Sequence, residues 1–262
     1  MTDDSIDWAT LIDEATSGAQ AARRAIRHEG GIGTASSPQK FLCDDNALYA
    51  VKFSGNNHGD GKAIFTEQVV GLAGKLIGAP VAAVELVEVA SALTDALRQD
   101  PTLTFAQPGL HHGSRWVGNN VSDRLGLEIQ YVPTNRERFG ALDVLYCWIP
   151  CTSDHQWIYD NDPPNLVYSV DHTPFFPGGS DWTAAGLAGS AANVSSDPQL
   201  ATLGLDGNDR MIAVTKLQDV TEAQIAAVVA QPPDEWGVTP DERCAIASYL
   251  WARRPLVAAA CS

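Results

Sequence analysis

The sequence predicts an α+β chain in two lobes, a small mixed α/β lobe over residues 1–116 and a mainly helical lobe over residues 117–262. Three observations predict it. Short strand-like runs bounded by turn residues gather in the first hundred residues. Beyond a hairpin-like pair that ends near residue 170, the pattern is helical only. Between the halves, residues 107–123 are rich in Gly, His, Ser and Asn, as a crossing from one lobe to the other would be.

Each element follows from local pattern. Over 6–27, apolar side chains recur at helical spacing from Trp8, Leu11 and Ile12 to Ala22 and Ile26, with acids early and Arg23, Arg24 and Arg27 late, so one amphipathic helix is expected. The turn Gly30-Gly31-Ile32-Gly33-Thr34-Ala35-Ser36-Ser37-Pro38 leads into strand-like runs at 40–43 and 47–53 around Asp44-Asp45-Asn46, a hairpin. After the Gly/Asn-rich loop 54–61, residues 62–77 contain no proline and stop at Gly78-Ala79-Pro80, which predicts a helix. A buried strand is expected over 81–89 and a weaker one over 102–106. Past the crossing come a short strand at 127–131, a helix at 136–148 and a hairpin pairing 156–159 with 166–170. Only helices follow, the clearest at 221–230 and 240–257, opened by capping-box patterns at Thr221 with Gln224 and Thr239 with Glu242.

Composition narrows the function classes. With 17 Lys+Arg against 32 Asp+Glu among 262 residues, the net charge is −15 and the isoelectric point is near 4.6. This argues against a nucleic-acid or anionic-membrane surface as main partner, since such surfaces recruit net positive fields, and still allows a local basic site. At 45% hydrophobic and 19% charged the chain folds rather than remaining disordered. No apolar run approaches about 18 residues, and the acidic start Met1-Thr2-Asp3-Asp4 is unlike a secretory signal, so a cytoplasmic protein is expected. Five cysteines without a CxxC pair read as reduced thiols, not a disulfide framework or a zinc site.

Two places carry chemistry. Lys52 lies in Leu48-Tyr49-Ala50-Val51-Lys52-Phe53, where alternation puts it on the face of Leu48 and Ala50. Amid apolar neighbours it needs an anion or a route to solvent, or else it is a lysine blunting a sheet edge. Glu67, fifteen residues on, falls nearly opposite the stripe of Phe65, Val69, Leu72 and Leu76, as a solvated glutamate would. Ile64 and Val70 flank it, however, as they would if it faced protein. A strand lysine followed by an inward helix glutamate is the ion pair that protein-kinase-type enzymes use on ATP phosphates. In the second place, Asp154 precedes one strand of the later hairpin and Asp171 ends the other, so both carboxylates come to one end. There one can accept a hydroxyl proton and the other hold Mg²⁺, or both can simply form turns. His155 and His172 either polarise these acids or pack.

In this order and spacing the segments resemble the HipA-like kinase family, a two-lobed protein-kinase relative. The likeness is carried by Ser36-Ser37-Pro38, by Tyr49 to Phe53 with Gly55-Asn56-Asn57-His58-Gly59, by Glu67 with the run Leu72 to Val81, and by Ser169-Val170-Asp171-His172 with Phe175, about residues 30–182 in all. The resemblance implies that Lys52 binds ATP phosphates, Glu67 holds Lys52, and the Ser36-Ser37 turn covers the phosphates with backbone amides. It further implies that Asp154 is the catalytic acid/base and that Asp171 coordinates Mg²⁺. The chain departs from the family at Thr152, where an Asn is usual, at Thr173, where a Gly is common after the Asp171-His172 pair, and at Tyr159, where a second metal-binding Asn is expected. Gln156 is then the nearest amide for the metal.

The expected activity is ATP- and Mg²⁺-dependent transfer of the γ-phosphate to a hydroxyl, of a protein Ser/Thr or a small molecule. The missing Asn points to an alternative, a non-catalytic ATP-binding module. A metal-dependent hydrolase around Asp154, His155, Asp171 and His172 ranks below both, because no HxH or HExxH pattern accompanies them. The acidic chain favours a neutral or basic protein substrate.

Overall fold

A computed structural model describes residues 6–16, 21–34, 37–54, 61–118, 120–121, 129–153 and 156–262. The first element is helix α1 (Trp8–Thr16), begun where Asp7 accepts from the Thr10 amide at 3.1 Å. It is shorter than the helix expected over 6–27. Arg23–Gly31 is instead strand β1, bulged twice and paired antiparallel with β2 (Gln39–Cys43) and parallel with β4 (Val84–Val89). The parallel partner lies some sixty residues downstream, so local periodicity could not reveal it.

β1, β2, β3 (Leu48–Lys52), β5 (Gly109–Arg115) and β4 close, in that order, into a barrel. Strand β5 corrects the crossing expected over 107–123, since the chain leaves the barrel only after Arg115. Its Gly113 is required: a Cβ there would lie 2.4 Å from Val87 Cγ2. The weak strand expected over 102–106 is not one either. Asp100 accepts from the Thr102 amide at 2.9 Å and opens a single 3-10 turn at Pro101–Leu103, just after helix α3 (Ser91–Leu97). Phe41, Tyr49, Val51, Phe53, Val87 and Val89 fill the barrel.

Helix α2 (Gly61–Ile77) lies outside that core. Its apolar side chains join a larger cluster with α4 (Asn135–Trp148), α7 (Gly207–Asp219), α8 (Glu222–Ala230) and α9 (Pro240–Cys261). Glycines set its seat: a Cβ on Gly71 would meet Val84 at 2.5 Å, and one on Gly61 would meet the Trp236 carbonyl oxygen at 1.6 Å. α1 also packs on this body, with Trp8 edge-on to Trp251 at 6.2 Å. Strands β6 (Asn120–Val121), β7 (Gln156–Asp160) and β8 (Val167–Val170) form a three-stranded antiparallel sheet. This is the hairpin the sequence predicts, with β6 added. Residues 129–131 form a turn rather than a strand, and 127–128 lie outside the described residues.

Two contacts stitch the barrel side to this sheet: Ser169 N donates to Pro80 O at 2.8 Å and Ala82 N to Ser169 O at 3.1 Å. The short helices α5 (Ala184–Ser190) and α6 (Pro198–Ala201) complete the helical body. The capping boxes expected at Thr221 and Thr239 are both formed, and a third, unforeseen, joins Asp206 and Asp209. Arg253, fully buried, donates to the carbonyls of Cys147 and Trp148 and satisfies the open end of α4.

Candidate active site

Lys52, Glu67 and Asp171 meet at one cavity of about 410 Å³ between the barrel and the β6–β8 sheet. Strand alternation aims Tyr49, Val51 and Phe53 into the barrel core and leaves Ala50 and Lys52 facing the cavity. Glu67 is 2% exposed because α2 is packed on nearly every side, which settles between the two readings its sequence neighbours allow. Asp171 follows directly on β8 with φ of +59°, a left-handed conformation that Asp tolerates better than most residues.

Lys52 Nζ donates to Asp171 Oδ1 at 2.6 Å and makes a close ion pair with Glu67 Oε1. The same Glu67 oxygen accepts from the Thr173 amide at 3.1 Å and from the Thr173 hydroxyl at 2.6 Å. Behind it, His112 Nε2 lies 3.7 Å from Glu67 Oε2, and His112 Nδ1 lies 2.6 Å from Gln68 Oε1. On the other side His172 packs edge-on against Phe175 and bonds Ser169 Oγ through Nε2 at 2.9 Å, so the structure gives it a packing role.

The electrostatics follow from burial and pairing. Burial works against the Lys52 ammonium, but the Glu67 and Asp171 carboxylates outweigh it and raise its pKa. Burial would raise Glu67, and Lys52 reverses this, holding it well below the ordinary carboxylate value. Asp171 is held above that value, first by burial and then by Glu67, with Lys52 only partly compensating. Burial pushes both His112 and His172 down to about 4, so each is neutral at pH 7.

Two anions thus share one cation, a local excess of negative charge that a divalent ion relieves. Asp171 is 34% exposed, and Gln156, cross-strand from Val170, lines the same cavity, so a carboxylate and an amide oxygen are available to it. Among the described residues no three or more His, Cys, Asp or Glu side chains gather as a metal centre.

Other expected site residues fall differently. Asp154 and His155, Ser36 and the loop 55–59 lie outside the described residues. Ser37, at φ of +43°, is not in the cavity wall; its amide donates to Thr34 O at 2.9 Å, and Thr34 and Pro38 line the cavity beside it. Tyr159 is wholly buried in the helical body and cannot stand in for a metal-binding Asn. His112 has no counterpart in the sequence reading. Its only signal is the alternation of Leu110, His112 and Ser114 within a stretch whose composition suggests a loop.

The fold has known counterparts. A crystal structure of the Helicobacter pylori proinflammatory kinase CtkA superposes with a TM-score of 0.56 at 11% identity, over 91% of this chain and 96% of that one. Structures of the Golgi casein kinase superpose at TM-scores of 0.47 (9% identity, with Mn/ADP bound) and 0.48 (11% identity), covering 95% and 97% of this chain and 76% of that one in both cases. The likeness to CtkA shows a kinase-like fold. No protein-family model and no curated protein matches the chain.

Proposed function

We propose that the chain is a kinase that uses ATP and Mg²⁺ to transfer the γ-phosphate to a hydroxyl, with a protein Ser/Thr as first choice of acceptor and a small molecule as second. One observation carries this reading: a barrel lysine is clamped between a helix glutamate and a strand-end aspartate inside one cavity. The kinase-like fold supports it, and the residue pattern favours the HipA-like variety, with the small lobe ending near residue 116.

Lys52 binds the phosphate oxygens, and Glu67 holds its ammonium in place. Asp171 and Gln156 are the residues that would hold the metal. Bound Mg²⁺ supplies neutralisation of charge on the transferring group. Asp154 accepts the proton of the attacking hydroxyl. Little covalent chemistry is asked of the protein, so positioning and charge stabilisation account for the rate.

The test is incubation with γ-labelled ATP. Label is expected to move to a hydroxyl acceptor or to appear as inorganic phosphate, and to be lost with Asp154→Ala or on chelation of divalent ions. A second reading is favoured by Tyr159, buried where a second metal ligand is expected: a nucleotide-binding module without turnover. Mg-ATP binding with no labelling in the wild type would select it.

A further inference from the structure

Thr173 stands where the family resemblance expects glycine, and the structure gives its side chain a specific partner. Its hydroxyl and its amide both donate to Glu67 Oε1, which also accepts from Lys52. A glycine could supply only the amide. The hydroxyl contact spans 106 positions in sequence and joins the loop after β8 to α2.

Its consequence is seen when Lys52 has a third claim on it. Lys52 has three N–H donors and already serves two carboxylates. A nucleotide phosphate in the cavity would draw on the same donors. A glutamate 2% exposed that lost part of its lysine would be left under-satisfied, a costly state for a buried charge. Thr173 limits that cost, since its two donors reach Oε1 independently of Lys52. Because Thr173 is two residues past Asp171, the same contacts hold the Asp171 loop against α2. His172, between them, is tied by Ser169 Oγ to the β8 side, so the loop is fixed from both directions.

From this geometry, and resting on the kinase reading above, we infer that Thr173 is a positioning residue: it latches the Asp171 loop to Glu67 and keeps Lys52, Glu67 and Asp171 in register while Lys52 engages phosphate. A loop so held does not swing Asp171 out of the cavity between turnovers, as a loop with glycine at this place could.

The test compares Thr173→Val, which keeps the shape and removes the hydroxyl, with Thr173→Ser, which keeps the hydroxyl, in phosphate-transfer kinetics on the full chain. Thr173→Val is expected to lower kcat about tenfold or more while KM for ATP changes less than about threefold, and Thr173→Ser to restore most of kcat. Should Thr173→Val fail to fold, Thr173→Ala reads the same split. An unchanged kcat in the valine or alanine variant, or a serine variant as slow as these, overturns the latch alone. A wild type that binds no Mg-ATP overturns the kinase reading and the positioning role with it. A wild type that binds Mg-ATP but transfers no phosphate leaves the binding site standing and overturns both the turnover and the latch's catalytic role.

Discussion

The barrel and the helical body bring unlike resources to one cavity. The barrel has a small core of its own, including Phe41, Val51 and Val87, and contributes Lys52 from its wall. The body has the larger core, and it has also taken in α1 and α2, which the sequence places beside the barrel strands. Glu67 therefore rests on the body although only fifteen residues separate it from Lys52. The Lys52–Glu67 pair joins the barrel wall to a helix whose apolar side chains belong to the larger cluster.

That contrast breaks most visibly in paired core truncations. Leu145 lies beside Gly74 of α2, and Phe41 is in the barrel; both are fully buried. Leu145→Ala and Phe41→Ala should each cost about 2–5 kcal/mol. In native-state hydrogen exchange, only Leu145→Ala should raise exchange of the α2 amides. Equal acceleration of α2 by both variants would mean that barrel and body are one core.

The seam between the two units sharpens the comparison through pH. His112, on the barrel wall against Glu67, titrates near 4 in the fold because it is buried, against an ordinary value near 6.5. Between those values the unfolded chain takes up a proton there that the folded chain refuses. Stability therefore falls as pH drops from about 6.5 to 4, by up to about 1.4 kcal/mol per pH unit from this residue, and no further below 4. Denaturant midpoints across this range should have a shallower pH slope in His112→Gln. An unchanged slope would count against a neutral, buried His112.

The smallest effect is expected where α2 meets the body at its exposed end. Lys62 pairs with Glu242 at 2.6 Å and lies over the Trp182 ring at 4.5 Å, and both charged side chains are partly solvated. Lys62→Met should cost less than about 1 kcal/mol in chemical denaturation. A loss above about 2 kcal/mol would mean that this pair, and not apolar packing, holds the helix start.

Local signals in the sequence foretold much of this. The hairpin β2–β3, helix α2, helix α4, the hairpin β7–β8 and two capping boxes each depend on near neighbours, and each is present. β1 escaped because its spaced apolar residues imitate a helix and its parallel partner β4 is remote. β5 escaped because Gly109, His111, His112, Gly113 and Ser114 read as a loop until their pairing with β3 and β4 is known. At the site, Lys52 and Asp171 could be placed by strand alternation and hairpin closure. Glu67 could not be oriented, since that depended on packing against helices α4, α7, α8 and α9, remote in sequence. Thr173 was visible as a departure, but its partner was not.

The most direct test of the central claim is calorimetric titration of the wild type, Lys52→Ala and Asp171→Ala with Mg-ATP. On the proposed reading each substitution removes a charge that would face the triphosphate or its ion, so affinity should fall about tenfold or more in each, about 1.4 kcal/mol, in variants whose folding is verified by circular dichroism. Affinity unchanged in both variants would contradict the account, because the cavity where these residues meet would then not be the nucleotide site.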